Sequence, residues 1–201
     1  SSVKIINNPI ALRNISEKFY STKFFKYMPP TILTKDINKI KIFYKKYKKI
    51  VIKPIHGYAG KGILFLNNTF KKKEISKLLH KNGHAMVQKF LPNVKKGDKR
   101  VFIINGKVCG AIRRIPSKNS ILSNISQGGT AVKTTLNSKQ NKISSIIAKD
   151  LLKNKIYFAG IDFVSNYLIG DINVTSPTGL PQYKELTGIN LGENFWDSLE
   201  N

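Results

Sequence analysis

Residues 158–179 have the sequence FAGIDFVSNYLIGDINVTSPTG, in which two mostly apolar stretches flank a polar pair at 165–166. A two-residue turn at that pair would join the stretches as a β-hairpin. Aspartate is depleted in strands, yet each stretch contains one, Asp162 and Asp171. Because side chains alternate between the two faces of a strand, this register puts both carboxylates and Asn173 on the same face. The sequence therefore predicts a hairpin with one polar face.

The polar face of this predicted hairpin has the composition of a site for a hard cation. The same register places Gly160 opposite Asp171, where the missing side chain leaves room. Mg²⁺ prefers oxygen ligands and keeps its remaining positions for water and nucleotide phosphates. An exposed polar hairpin face is the alternative interpretation. We predict a metal site at Asp162, Asp171 and Asn173.

A glycine-rich loop at 56–62, HGYAGKG, lies between two predicted strands at 50–53 and 63–66. Glycines let backbone N–H groups face an anion, so this arrangement is typical of a phosphate cradle. Lys53, at the end of the first strand, would add a positive charge. The Walker pattern is absent and a strand follows the loop, which argues against P-loop and Rossmann folds. A long hairpin turn with three glycines is the alternative.

Arginine is rare in this chain, and three of its four arginines lie on a second predicted hairpin at 100–115. The Asn-Gly pair at 105–106 is a strong signal for its turn. Arg100 and Arg114 are candidates for binding a carboxylate or a phosphoryl group, because a guanidinium offers a planar fork of donors. An ordinary ion pair with Asp98 is the alternative for Arg100.

The hydrophobic spacing along the chain predicts a mixed α/β protein. Helices are predicted at 14–27, 36–49, 71–82 and 138–153. Strands are predicted at 50–53, 63–66, 85–90, 100–105, 107–115, 158–164 and 167–174. The polar segment at 116–135 is predicted to be a long loop.

The composition is that of a folded protein with an unusual base content. The chain has 201 residues, 41% of them hydrophobic, enough for one domain or two joined subdomains. Its net charge of +24 comes from 31 lysines and only four arginines. Nucleic-acid sites rely on arginine, so this balance favours the codon bias of an A/T-rich genome over a dedicated nucleic-acid function. No stretch resembles a membrane span or a signal peptide, which predicts a cytoplasmic protein without a membrane partner. The single Cys109 excludes an internal disulfide and a multi-cysteine zinc site.

Several motifs follow one another in a specific order. They are IKP at 52–54 with the glycine-rich loop, VQKFLP at 87–92, GDKRV at 97–101, RIP at 114–116, AGID at 159–162 and DINVTSPTG at 171–179. Together they resemble the ATP-grasp domain of bacterial glutathione synthetase, from about residue 7 to residue 200. The INVTSPTG stretch is specific to that family, whereas the separate motifs fit any ATP-grasp ligase.

The resemblance implies an α+β fold of the ATP-grasp type, in which two α+β subdomains clasp ATP. Residues 1–10 would be a linker from an N-terminal domain, and residues 11–201 would form the ATP-grasp domain. Its first subdomain would cover about 11–86 and contain the glycine-rich loop. The second would cover about 87–201 and contain the metal site.

The resemblance also implies a role for each motif residue. Nucleotide-binding residues would be Lys18, Lys53, Gly57, Gly60, Gly62, Gln88, Lys89, Phe90, Leu91 and Asp98, with the two lysines on phosphates and residues 88–91 on adenine. Metal ligands would be Asp162, Asp171 and Asn173. Arg100 and Arg114 would be catalytic, facing the reacting carboxylate and the transferred phosphoryl group. Substrate-binding residues would be Asn124, Gly128, Gly129, Ser176, Pro177 and Thr178.

The implied activity is ATP-dependent ligation of γ-glutamylcysteine to glycine through an acyl phosphate, giving glutathione, ADP and phosphate. Such chemistry needs charge neutralisation and positioning more than a nucleophilic side chain. The implied cofactors are ATP and Mg²⁺, with Mn²⁺ as the alternative ion. Partners would be these small-molecule substrates and further copies of the chain in a homo-oligomer, and nucleic acid is not expected. The segment at 117–130 would be a lid over the acyl phosphate.

Three features differ from the family pattern. The N-terminal substrate-binding domain is not part of this sequence, and Asp171 stands where a glutamate is usual. The usual lid arginines are replaced, at Leu122 or Ser123 and at Thr130. Two alternatives remain open: a different ATP-grasp amino-acid or peptide ligase, and a lysine-rich RNA-binding protein that keeps the fold.

Overall fold

Two antiparallel sheets with flanking helices form the structure, a computed structural model that describes residues 3, 5–57, 60–117 and 128–200. The strands are β1 (Thr31–Thr34), β2 (Ile50–Pro54), β3 (Leu64–Leu66), β4 (Ala85–Lys89), β5 (Asp98–Ile104), β6 (Lys107–Ile115), β7 (Thr130–Lys133), β8 (Phe158–Val164) and β9 (Tyr167–Asn173). The α-helices are α1 (Pro9–Asn14), α2 (Glu17–Tyr20), α3 (Ile37–Tyr47), α4 (Lys72–Asn82), α5 (Ser138–Lys153), α6 (Leu180–Thr187) and α7 (Leu191–Glu200). Two 3₁₀ helices span Ser21–Tyr27 and Pro92–Lys96. The α+β class is thus confirmed.

The first sheet has the strand order β1-β4-β2-β3 and is covered on one face by α3 and α4. Alternation along β2 explains why only one face is covered: Ile50 and Ile52 pack against the helices, while Val51 and Lys53 point to the opposite face. The core between helices and sheet consists of Ile40, Phe43, Ile50, Ile52, Leu66, Ile75, Leu78, Ala85 and Val87.

The second sheet has the strand order β7-β6-β5-β8-β9 and is covered on both faces. Along β5, Val101 and Ile103 belong to the core under α5, and Phe102 and Ile104 belong to the core under α6 and α7. Helix α5 starts with a capping box between Asn137 and Gln140 and matches its predicted range. In the described parts of the chain, no helix has the length and apolarity required to span a membrane.

Short elements account for most differences from the predicted secondary structure. The predicted helix at 14–27 is replaced by α2 and a 3₁₀ helix, and α1 ends at residue 14 because Ile15 and Ser16 adopt extended backbone. Strands β1 and β7 and helices α6 and α7 were not predicted. Strand β7 lies in the segment predicted to be a loop. The predicted subdomain boundary near residue 86 falls inside β4, which pairs with both β1 and β2.

The β8–β9 hairpin has the predicted turn but a different register. Gly160 pairs with Asn173, whereas the sequence had suggested Asp171 as its partner. The register shifts because β9 bulges near Gly170, which has a φ of 88°. The prediction of an unbroken ladder was therefore wrong, and the bulge determines where Asp171 points.

Candidate functional site

A cavity between the two sheets brings together most residues that the sequence singled out. The face of the first sheet that α3 and α4 leave uncovered forms one side of this cavity. Strands β5, β6, β8 and β9 contribute to the other side. The predicted residues that line it are Lys18, Lys53, Gly57, Gly60, Gln88, Lys89, Phe90, Leu91, Asp98, Arg100, Arg114, Asp162, Asp171 and Asn173.

Two lysines bring positive charge into this cavity from different elements. Lys18, on α2, donates to the backbone oxygen of Gly57, and its Nζ lies 3.3 Å from Oδ1 of Asp171. Lys53, on β2, donates from Nζ to the backbone oxygen of Ile169 at 2.6 Å. Burial lowers the pKa of Lys53, although the nearby Asp171 favours its charged form. Both ammonium groups thus lie at one end of the cavity, beside the glycine-rich loop.

Two buried arginines form a connected network with two buried aspartates. Arg114 donates from Nε and Nη2 to both oxygens of Asp98, at 2.7 and 2.8 Å. Its Nη2 also lies 3.0 Å from Oδ2 of Asp162. Arg100 donates to both oxygens of Asp162. The suggested pairing of Arg100 with Asp98 was therefore wrong: strands β5 and β6 pair Asp98 with Arg114 directly across the ladder.

The network sets the ionisation of its two carboxyl groups in opposite directions. Burial raises the pKa of Asp98 to about 6, against the influence of Arg114, which favours the carboxylate. Burial acts in the same sense on Asp162, but Arg100 and Arg114 together hold its pKa below the usual range. Asp162 is thus the more firmly ionised of the two carboxyl groups.

The three predicted metal ligands all line the cavity, but their surroundings differ. Oδ1 of Asp171 is buried and accepts no hydrogen bond from the described residues. Asn173 donates from Nδ2 to the backbone oxygen of Gly160 at 3.3 Å and to Oδ2 of Asp162 at 3.4 Å, both long. This Asp171 oxygen has the Lys18 ammonium nearby but no hydrogen bond within the described part of the chain, and such an open acceptor beside an amide fits a hard cation. Within the described residues no group of three His, Cys, Asp or Glu side chains could hold a metal ion.

The other end of the cavity is apolar. The Phe90 ring packs on Phe65 with its centroid 4.5 Å away. Gln88 is buried and donates from Nε2 to Oγ1 of Thr31 at 3.1 Å. The backbone N–H groups of Lys89 and Phe90 bind carbonyl oxygens within the protein, which fixes this strand end. Across the cavity as a whole, the apolar lining residues are Pro29, Val51, Pro54, Ile63, Phe90, Leu91, Val94, Val164 and Ile169.

The remaining predicted residues do not line the cavity, or they lie outside the described residues. The backbone oxygen of Thr178 accepts a hydrogen bond from Arg100 Nη1 at 3.3 Å. Pro177 packs closely on Gly160: a Cβ there would lie 3.0 Å from Cβ of Pro177. Ser176 is exposed. Gly62, Gly128 and Gly129 do not belong to the cavity lining, and Asn124 lies outside the described residues.

Glu17 and Asn7 are among the residues near the site that the sequence did not point to. Glu17 lines the cavity, and its Oε1 accepts hydrogen bonds from the backbone N–H of Val174 and the hydroxyl of Thr175. Asn7 is buried and donates to the backbone oxygen of Val174. The scarcity of acidic residues and the position of Glu17 next to Lys18 could have drawn attention to it. No sequence signal marks Asn7.

Comparisons with known proteins agree on one family. The sequence profile described as prokaryotic glutathione synthetase, ATP-grasp domain, matches residues 17–188. A glutathione synthetase from Synechocystis sp. is 40% identical over 200 residues, which is 98% of this chain and 62% of that protein. One from Mesorhizobium japonicum is 35% identical over 201 residues, again 98% of this chain, and 63% of its own length. This chain thus spans less than two thirds of the curated relatives it matches.

Solved structures support the same fold at low sequence identity. The ATP-grasp ligase PsnB, complexed with a minimal precursor, superimposes with a TM-score of 0.69 at 15% identity, over 96% of this chain and 62% of that one. D-alanyl-alanine synthetase A from Vibrio cholerae gives a TM-score of 0.64 at 15% identity, over 86% of this chain and 59% of that one. These likenesses show the ATP-grasp fold and nothing further.

Proposed function

Since the chain belongs to the prokaryotic glutathione synthetase family, whose ATP-grasp domain it contains, we propose that it joins γ-glutamylcysteine to glycine at the expense of ATP. The observation that carries this proposal is the cavity that Lys18, Lys53, Arg100 and Arg114 line together with Asp171. Cations from several elements around one space suit a nucleotide polyphosphate and a second anion, here the substrate carboxylate.

The proposed reaction has two steps. An oxygen of the cysteinyl carboxylate attacks the γ-phosphorus of ATP, the bond to the bridging oxygen breaks, and ADP leaves. The glycine amine then attacks the acyl phosphate carbon, phosphate departs with the bonding electrons, and the nitrogen loses a proton. Neither step needs a nucleophilic side chain, so charge neutralisation and positioning supply the catalysis.

We assign the positive side chains by their place in the cavity. Lys18 and Lys53 lie beside the glycine-rich loop and would bind the phosphates. Arg100 and Arg114 would face the reacting carboxylate and the transferred phosphoryl group. Their pairing with buried aspartates fixes the guanidinium planes, which favours binding of an anion without rearrangement.

The residues at the end of β9 fit a divalent cation. Asp171, whose buried Oδ1 accepts no hydrogen bond from the described residues, and Asn173 would hold the ion. Asp162 lies beside them, and its oxygens are already bound to guanidinium groups. When bound, Mg²⁺ or Mn²⁺ would neutralise phosphate charge. Asp171 is shorter than the glutamate usual in the family, so its carboxylate reaches less far.

The apolar end of the cavity would bind the adenine base. Burial of a flat ring between Val51, Phe90 and Val164 is favourable because it removes apolar surface from water. Gln88 lies at the edge of this region and offers a polar group there. Assembly into a homo-oligomer and a cytoplasmic location stay predictions.

A coupled assay tests the proposed activity. The protein, expressed with any in-frame sequence that precedes Ser1, should release ADP and form glutathione in equal amounts only with γ-glutamylcysteine, glycine and Mg²⁺ all present. Lys18→Gln should lower kcat/KM about tenfold or more, since a charge-assisted hydrogen bond to phosphate is lost. Lys23→Gln, on the adjacent 3₁₀ helix and paired with Asp150, is the matched control. Equal turnover with an unrelated acid would favour another ATP-grasp ligase.

RNA binding is a second candidate function, supported by the uneven distribution of lysine. Residues 31–96 contain 17 of the 31 lysines and only two acidic residues, which a uniform codon bias does not explain. Lysines of α3 and α4, such as Lys41, Lys45, Lys73 and Lys77, are exposed on the side away from the cavity. Salt-sensitive binding of single-stranded RNA that survives Asp171→Asn and is lost on Lys41→Glu with Lys45→Glu would support it. Binding unaffected by this charge reversal would contradict it.

A further inference from the structure

Val174 is held at both of its backbone groups by side chains from the start of the chain. Strand β9 ends at Asn173, so Val174 has no ladder partner there. Its N–H donates to Oε1 of Glu17 at 3.2 Å, and its carbonyl oxygen accepts from Nδ2 of Asn7 at 2.8 Å. Val174 is only 1% exposed, and buried backbone groups need such partners.

Asn7 uses its whole hydrogen-bonding capacity in this arrangement. Its Nδ2 donates to the backbone oxygens of Val174 and Phe158, at 2.8 and 2.7 Å. Its Oδ1 accepts from the backbone N–H groups of Tyr157 and Phe158, at 2.7 and 2.8 Å. An amide offers two donors and two acceptor sites, and all four are occupied. Asn7 therefore ties the end of β9 to the start of β8.

Glu17 connects the same point to the cavity. Its Oε1 also accepts from the hydroxyl of Thr175 at 3.0 Å, so it holds two consecutive residues after β9. The next residue on the same helical turn is Lys18, whose Nζ lies 3.3 Å from Asp171 Oδ1. One turn of helix thus contacts the chain on both sides of Asn173, at Asp171 within β9 and at residues 174–175 after it.

The residues on either side of Val174 are those that the proposed reaction uses. Asn173 precedes it and is a candidate ligand of the cation. The segment 175–178 follows it, and the backbone oxygen of Thr178 accepts from Arg100. A displacement of Val174 would therefore move a metal ligand and a neighbour of Arg100 together.

We propose that Asn7 and Glu17 are positioning residues, which clamp Val174 so that Asn173 and the segment 175–178 keep the geometry that the reaction requires. The role of Asn7 and Glu17 in a ligase site rests on the proposed function. The clamp itself consists of hydrogen bonds to Val174, which can be measured separately.

Amide hydrogen exchange measures the clamp directly. In the unaltered protein the Val174 N–H should be protected, although it lies outside the sheet. In Glu17→Ala it should exchange about tenfold faster, as expected for loss of one hydrogen bond. Glu17→Gln keeps an acceptor oxygen and should stay close to the unaltered protein, and Glu74→Ala is the control for loss of an exposed acid on another helix. Exchange of Val174 as fast as an unbonded amide in the unaltered protein would overturn the clamp.

The Mg²⁺ requirement separates positioning from mere stabilisation. With nucleotide binding as the readout, Glu17→Ala should need about fivefold to tenfold more Mg²⁺ for half-saturation, because Asn173 is no longer fixed. Glu17→Gln should need about as much Mg²⁺ as the unaltered protein. A fall in melting temperature with an unchanged Mg²⁺ requirement would show a structural role alone and refute the proposal.

A second variant keeps the proposal testable if Glu17→Ala does not fold. Asn7→Asp still accepts from the N–H groups of Tyr157 and Phe158 but cannot donate to the backbone oxygens of Val174 and Phe158, so it should raise the Mg²⁺ requirement in the same way. None of these binding and exchange measurements needs γ-glutamylcysteine or glycine. If the unaltered protein binds Mg²⁺-nucleotide but makes no glutathione, the proposed function fails. Hydrogen exchange and the Mg²⁺ requirement still test the clamp in that case.

Discussion

Arg100 donates to both oxygens of Asp162, from Nε to Oδ1 at 2.5 Å and from Nη2 to Oδ2 at 2.9 Å. Both side chains are about 5% exposed, and Arg114 lies 3.0 Å from the same carboxylate. Asp162 therefore compensates Arg100 and, together with Asp98, also Arg114. Asp171, whose side chain is 25% exposed, has the Lys18 ammonium 3.3 Å from Oδ1, an oxygen that accepts no hydrogen bond from the described residues. Two aspartates that look equivalent in the sequence thus have different physical tasks.

Asp162→Asn should destabilise the protein strongly. The amide leaves the Arg100 guanidinium buried without its carboxylate and leaves Arg114 with Asp98 alone, and removal of one partner from a buried ion pair costs about 3 to 5 kcal/mol. Urea unfolding, followed by circular dichroism, gives the free energy of unfolding. Asp150→Asn, at a more exposed ion pair with Lys23, is the control and should cost about 1 kcal/mol or less. Equal losses in the two variants would contradict the counter-charge role.

Asp171→Asn should leave stability almost unchanged and weaken Mg²⁺-nucleotide binding. Its carboxylate is partly exposed and pairs only with Lys18 among the described residues, so the free energy of unfolding should change by about 1 kcal/mol or less. The cation loses a charged oxygen ligand. The increase in melting temperature on adding Mg²⁺ and ATP measures the binding, with ATP and EDTA as the control. An unchanged increase would remove Asp171 from the proposed metal site.

Stability should fall as the pH rises from about 4 to about 6, through Asp98. Burial raises the pKa of Asp98 to about 6, so the folded protein holds this proton more tightly than the unfolded chain, whose aspartates ionise near pH 4. In this window the unfolded state loses the proton first, which lowers the free energy of unfolding. Asp162, whose pKa is held below the usual range, acts in the opposite sense, and only at pH values below about 4.

Asp98→Asn is the matched test of that pH dependence. The variant is expected to have a lower overall stability, because Arg114 loses one of its two carboxylate partners. The quantity to compare between Asp98→Asn and the unaltered protein is the slope of the free energy of unfolding against pH. The same slope in both proteins would show that a residue other than Asp98 causes the pH dependence.

The sequence predicted helices α3, α4 and α5, the two hairpins and many of the residues that line the cavity, but not the contacts among those residues. Helix α5 and the hairpin around 105–106 follow from capping and turn residues that act locally. The residues that line the cavity follow from motifs. The pairing of Asp98 with Arg114 depends on which residues lie opposite each other across two strands, and that register is fixed by long-range packing. For the same reason Asn7, which acts on residues 150 positions away, could not be found in advance.

The β9 bulge has a local signal in the sequence, the glycine at position 170. An isolated glycine inside a strand often marks a bulge or a close approach of another segment, and Gly170 does both. Its φ is 88°, and a Cβ there would lie 2.7 Å from Sδ of Met86 and 3.1 Å from Cε of Met28. The bulge also presents the backbone oxygen of Ile169 to Lys53. Gly170 therefore lets the two sheets meet while it turns Asp171 towards the cavity.

Gly170→Ala should accordingly weaken both stability and Mg²⁺-nucleotide binding. The left-handed backbone and the collision with Met86 each add strain, and a total of about 2 to 4 kcal/mol is expected. Adding Met86→Ala removes the collision but not the backbone strain, so relative to Met86→Ala alone the glycine replacement should cost only about 1 to 2 kcal/mol. Gly188→Ala, at a positive φ with open space around it, is the control for backbone strain alone. If Gly170→Ala costs no more than Gly188→Ala and the Mg²⁺-dependent increase in melting temperature is unchanged, close packing at the bulge does not orient Asp171.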